Sequence, residues 1–146
     1  MLSFREVTRR NLWEVLRLSV AKSQIQFVAP NSVSLAQAKV QPECVPLAVY
    51  DGERPIGFVM YGLDYAEKEY WIYRVMIDEK YQSRGYGRRV TEMLIDRIKQ
   101  EADEERHVLY LSFNPENEWG ESLYRSLGFT DDQRMTDGEI VYRLDF

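Results

Sequence analysis

Gln82-Ser83-Arg84-Gly85-Tyr86-Gly87-Arg88-Arg89 joins an apolar, strand-like run, Trp71 to Ile77, to a helix-periodic run, Val90 to Ala102. Such a junction suits phosphates. Glycines let the backbone turn tightly and approach a ligand, and the first unpaired N–H groups of the helix face outward at the positive end of its dipole. Arg84, Arg88 and Arg89 add positive charge there, in a chain whose formal net charge is −5. A nucleotide-hydrolysing P-loop would carry Lys-Ser or Lys-Thr after its second glycine, where Arg88-Arg89 stands. A dinucleotide fingerprint would need a third glycine and an acidic residue after the next strand. Taken alone, Gly-x-Gly fits an ordinary tight turn before a helix equally well.

The fuller pattern narrows the choice. Gln-x-x-Gly-x-Gly following Ile77-Asp78-Glu79-Lys80-Tyr81-Gln82 resembles the acyl-CoA pyrophosphate loop of the GNAT N-acetyltransferases. A second segment, Asn117-Glu118-Trp119-Gly120-Glu121-Ser122-Leu123-Tyr124-Arg125-Ser126-Leu127-Gly128-Phe129, resembles that family's Asn-x-x-Ala-x-x-Leu-Tyr-x-x-x-Gly-Phe, with Gly120 replacing alanine. The resemblance implies that acetyl-CoA is the cosubstrate. Its pantetheine arm would pair with the backbone of Val75, Met76 and Ile77, an added-strand contact indifferent to side-chain identity. Its pyrophosphate would rest on Gln82, Ser83, Arg84, Gly85, Tyr86, Gly87 and Arg88, with Asn114 and Asn117 completing the site. The implied reaction is acetyl transfer to a primary amine, direct and within a ternary complex.

A free alkyl amine of pKa about 10 is protonated at neutral pH, so transfer needs a proton acceptor, and the departing thiolate benefits from an acid. By motif position Tyr124 is the general acid. Tyr73 stands where polyamine acetyltransferases usually place an acidic residue, and Arg74 follows it, so the motif leaves the base open. Glu69 is the candidate base, with Asp64 and Glu67 close by in sequence. Cys44 has no activating partner near it, so an acetyl-enzyme is not expected.

Ser23 to Asn31, Ser34 to Ala38, Phe58 to Gly62 and Ile77 to Gln82 are similar to bacterial spermine/spermidine acetyltransferases. A polycation would favour carboxylates and aromatic faces, which makes Tyr61, Asp64, Tyr73 and Trp119 the candidate substrate residues. The alternatives are another small amine, a protein amine, or a non-catalytic acyl-CoA-binding module.

The elements that must position these groups follow from periodicity and turn signals. Leu2 to Val7 reads as a strand, and Thr8 as the cap of a helix carrying Leu12, Val15, Leu16 and Ser19. A loop over Gln24 to Asn31 leads to a helix, Ser32 to Val40, with Ser34 and Gln37 at capping-box spacing. Strands Val45 to Tyr50 and Ile56 to Leu63 flank a hairpin turn, and Glu69 to Ile77 adds another. Beyond the loop and its helix come a strand, Val108 to Phe113, a helix ending at Gly128, and a terminal hairpin turning at Asp137-Gly138. This is the GNAT order, an α/β (α+β) fold with a mixed, mostly antiparallel sheet of six to seven strands and about four helices.

At 146 residues the chain reads as one domain, 1–146. One His and one Cys are too few for a zinc site, so no metal is expected. The acidic balance argues against nucleic acid, and no apolar run is long enough for a membrane span. A cytoplasmic location is expected, with a homodimer possible from family habit alone.

Overall fold

The computed structural model describes residues Met1–Phe146. The expected order is present: β1 (Leu2–Glu6), α1 (Leu12–Arg17), α2 (Asn31–Val40), β2 (Cys44–Asp51), β3 (Arg54–Asp64), β4 (Glu69–Ile77), α3 (Tyr86–Glu101), β5 (Val108–Phe113), α4 (Glu118–Ser126), β6 (Thr130–Thr136) and β7 (Glu139–Asp145). The strands form a seven-stranded sheet in the order β1-β2-β3-β4-β5-β7-β6. Every neighbouring pair is antiparallel except β4 and β5. No helix is long and apolar enough to cross a membrane.

Helices cover both faces of the sheet. On one face Val90, Leu94, Ile95 and Ile98 of α3 pack with Ile72, Ile77, Leu109, Leu111 and Phe113. On the other, Val15 of α1 packs with Ala48, Phe58, Met60 and Met76, with Leu35 and Ala38 of α2 beside them. Burying a strand on both faces makes it read as a continuous apolar run, which is why Ile56 to Leu63 shows no alternation.

Two features bear on the site. The single parallel pair is short: β4 and β5 pair only at Tyr70–Leu109 and Trp71–Tyr110, and then diverge. In β4 the register against β3 also jumps, from Met60–Arg74 to Tyr61–Ile72, leaving Tyr73 unpaired in a β-bulge. The extra residue brings both Tyr73 and Arg74 to the α1/α2 face, where Tyr73 packs near Met76 and Arg74 donates to Gln37 Oε1 at 2.8 Å.

Several local expectations are corrected. The helix after the loop begins at Tyr86, four residues before the first apolar residue of its stripe. Gly85, at φ +80°, serves as its N-cap. Thr8 opens a turn ahead of α1, accepting from Arg10 N, and Asn11 is the N-cap. Ser34 and Gln37 form no capping box: Ser34 is a buried α2 residue whose Oγ has no partner, and Gln37 is committed to Arg74. The expected loop over Gln24 to Asn31 begins inside a 3-10 helix, Lys22–Phe27, whose Gln24 side chain accepts from Ala21 N.

Candidate active site

Divergence of β4 from β5 opens a cavity of about 930 Å³ that passes between the two strands. Ile72 to Ile77 form one wall and Leu111 to Phe113 the other. The connection from α1 to α2, the glycine loop and α4 complete it. Past Trp71 the facing edges of β4 and β5 make no ladder to each other, so an extended ligand backbone can pair there.

The loop end is an anion cradle. Asp78 fixes its entry, accepting from Ser19 N and Lys80 N. Gln82 Nε2 donates to Ile77 O at 2.8 Å and to Gln24 Oε1 at 2.9 Å, clamping the loop to the strand end. Ser83 (φ +64°) and Gly85 then turn the chain into α3. No backbone or side-chain acceptor within the chain takes the N–H groups of residues 83–88, a run of amides converging at a helix N-terminus. Arg88 donates to Ser126 Oγ at 2.6 Å and pairs with Glu92, which leaves its guanidinium at the cavity wall and ties α3 to α4. These residues fit a diphosphate.

Of the expected cofactor residues, Val75, Met76, Ile77, Gln82, Ser83, Gly85, Tyr86, Gly87, Arg88 and Asn117 line the cavity. Arg84 and Asn114 do not. Arg84 donates to Lys80 O, and Asn114 shapes the turn into α4 by accepting from Glu116 N. Asn117 caps α4, accepting from Gly120 N at 3.0 Å. A Cβ at Gly120 would lie 2.7 Å from Asn117 Nδ2, which accounts for glycine where the motif has alanine.

Tyr124 lines the cavity. Its ring meets Phe113 and Phe129 at centroid distances of 5.7 and 6.0 Å, and its hydroxyl makes no hydrogen bond within the chain. Burial, aided by the charge of Glu139, pushes its pKa up to about 12, so the phenol stays protonated and able to donate.

The candidate substrate residues separate. Tyr73 and Trp119 line the cavity, Trp119 at the loop end, where a Cβ on Gly87 would come 3.1 Å from its Cη2. Tyr61 points to the opposite, α3 face, with its hydroxyl bonded to Glu101 and Arg97. Asp64 is the last residue of β3 and accepts from Ala66 N in the turn that follows. Glu69 begins β4 at the closed end of the β4–β5 pair, bound by Arg134 at 3.0 Å and by Trp71 Nε1 at 3.2 Å, and it does not line the cavity. Their charges still reach the site. The Tyr73 pKa is raised by burial first, and then by Cys44, Asp64, Glu43 and Glu69.

One lining residue escaped the motif reading. Glu139, the first residue of β7, is the only carboxylate on the cavity wall, and Ser112 Oγ donates to its Oε1 at 2.8 Å. The turn signal at Asp137-Gly138 places it at the start of a strand. Nothing local reveals that the strand pairs with β5.

The chain matches the sequence model of the acetyltransferase (GNAT) family across residues 10–129. It is 30% identical over 134 residues to the spermine/spermidine N(1)-acetyltransferase of Bacillus subtilis, covering 88% of this chain and 87% of that protein. Its fold is similar to an acetyltransferase from Thermus thermophilus at a TM-score of 0.76 and 20% identity, covering 100% and 97% of the two chains. It is also similar to the spermidine N-acetyltransferase of Vibrio cholerae, solved with CoA and spermine, at a TM-score of 0.74 and 18% identity, covering 97% and 92%.

Proposed function

We propose, from the premise that the chain belongs to the acetyltransferase (GNAT) family and is an acetyl-CoA-dependent N-acetyltransferase, that its acceptor is a polyamine of the spermidine or spermine type. The observation that carries this reading is the acidic surround of Tyr73. Tyr73 lines the cavity, and after burial and Cys44 the charges of Asp64, Glu43 and Glu69, which lie off the cavity wall, raise its pKa. A flexible polycation gains Coulomb attraction from such a cluster and cation–π contact from the ring. The Bacillus subtilis relative supports the same acceptor.

Acetyl-CoA supplies an activated acetyl thioester and a thiolate leaving group. The amides of residues 83–88 and Arg88 hold its diphosphate, and the free edge of Val75 to Ile77 holds its pantetheine arm. Tyr124 donates its hydroxyl proton toward the departing sulfur. Transfer is direct, because Cys44 is buried beside Ala48 and Met60, lines no part of the cavity, and has its thiol pKa pushed up by burial.

A second reading has its own observation. The Arg74 guanidinium is on the cavity wall, and its Nε has no partner. A cation there favours an amine that also carries a carboxylate, such as an amino acid.

Thiol release from acetyl-CoA, measured across spermidine, spermine, putrescine and a set of amino acids, tests the two readings. Spermidine is expected to give at least a tenfold higher kcat/KM than any amino acid, with KM rising with ionic strength. Preference for an amino acid over every polyamine would overturn the polyamine reading and support the second.

A further inference from the structure

Tyr124 and Glu139 lie on opposite faces of the sheet. Tyr124 packs with Phe113 and Phe129 on the α3 face. Leu111 and Phe113 also face α3, so strand alternation turns Ser112 to the α1/α2 face. Glu139, bonded to Ser112, is on that same side, which is also the side reached by Tyr73 and Arg74. The opening between β4 and β5 connects the two faces, and Tyr124 and Glu139 both line it.

We propose that Glu139 is the proton acceptor of the transfer. Glu69 is held by Arg134 at the closed end of the strand pair, and Asp64 caps a turn outside the cavity. Glu139 has the position both lack. Its Oε1 is fixed by Ser112, and its Oε2 has no hydrogen-bond donor within the chain. A cavity-lining carboxylate with one oxygen anchored and the other without a donor can accept a proton.

The proposal rests on the acetyltransferase reading and completes its proton balance. The ammonium first gives one proton to solvent; as the lone pair so freed forms the C–N bond to the acetyl carbon, the C–S bond breaks and its electron pair leaves on sulfur. The proton shed by nitrogen passes to Glu139, directly or through one water. Tyr124 hydrogen-bonds the thiolate as it departs, the thiolate takes its proton from solvent, and Glu139 returns its own to solvent. Ser112 is a positioning residue in this scheme, acting only through Glu139.

Two variants and a rescue test the assignment, with the acceptor taken as the best amine of the panel. Glu139→Gln keeps the Ser112 bond and is expected to lower kcat by about 100-fold or more, the usual contribution of a positioned base. It should also lose the acidic limb of the pH profile of kcat. Glu139→Ala should be equally slow and regain rate with added formate, which supplies the missing carboxylate. CoA binding by calorimetry should match the parent in both variants, and a loss of it would overturn the proposal by making Glu139 structural.

A Glu139→Gln rate within threefold of the parent, or an effect on amine KM alone, would overturn the base assignment while leaving the acetyltransferase reading intact. If the parent is active only on amines other than polyamines, the polyamine reading falls and the Glu139 test runs on that amine. A parent chain silent on every amine would overturn both.

Discussion

Replacing Tyr124 by Phe removes one hydroxyl and little else, which makes it the sharpest probe of the chemistry. Within the chain that hydroxyl has no hydrogen bond to lose, and the ring contacts to Phe113 and Phe129 at 5.7 and 6.0 Å survive in Phe. Stability should therefore stay within about 0.5 kcal/mol of the parent. The catalytic effect follows from the acidities. With its pKa near 12, the phenol is about 3.5 units less acidic than a thiol of pKa about 8.5. Complete proton transfer to the thiolate is uphill by about 5 kcal/mol, at about 1.36 kcal/mol per unit. In the proposed role of Tyr124 as acid, its part is therefore mainly to hydrogen-bond the charge that develops on sulfur, worth about 1.5–3 kcal/mol for a bond to a charged group. Tyr124→Phe should lower kcat about 10- to 150-fold with KM for acetyl-CoA nearly constant, as read by thiol release under saturating amine. A change below threefold would refute the assignment. A fall of several thousandfold would refute the partial-transfer argument and make Tyr124 a full proton donor.

Two further outcomes test other parts of the structure. Tyr124 titrates near 12 in the folded chain against about 10 unfolded, so the folded state holds its proton more tightly. The associated stability is complete below about pH 10 and is lost as pH rises to about 12, by about 3 kcal/mol. Burial shifts Tyr73 in the same direction, so urea unfolding should weaken steeply above pH 10 and less steeply in Tyr124→Phe. If the two chains lose stability equally, the buried-phenol account is wrong. At Gly62 a Cβ would lie 2.3 Å from Glu43 O, and the β2–β3 backbones would have to separate. Gly62→Ala should cost about 3 kcal/mol and lower Tm by roughly 6–12 °C, whereas Gly52→Ala, with open space at φ +63°, should cost only about 1–2 kcal/mol. Equal melting of the two variants would show that the close approach at Gly62 does not matter.

What was legible in the sequence is what is local. The loop announces itself because its glycines, its arginines and the end of β4 all lie within a dozen residues, and the elements around it follow from turn signals. Helix ends were less legible: periodicity marks where the apolar stripe of α3 begins, at Val90, while the helix itself starts at Tyr86, where Gly85 takes its left-handed φ of +80°. The side on which a β3 or β4 residue emerges was not legible at all. Both faces of these strands are buried, so no alternation tells Tyr61, which faces α3, from Tyr73, which faces α1 and α2. Glu139 was out of reach for another reason. Its neighbour Ser112 is 27 residues away, and only the β5–β7 register brings them together.

The same two irregularities that defeat a local reading also build the site. Had β4 and β5 stayed paired past Trp71, the main-chain groups meant for a ligand would be used by the sheet, and no passage would join Tyr124 to Glu139. Without the bulge at Tyr73, strict alternation would send either Tyr73 or Arg74 to the α3 face. An extra residue on one strand and a missing set of ladder bonds on its neighbour each weaken the sheet locally. The cost is met by the antiparallel ladders that join β1 through β4 and by apolar cores on both faces. It follows that substitutions restoring regular pairing at the opening should stabilise the chain while abolishing transfer, an opposition expected only where strain and function share the same residues.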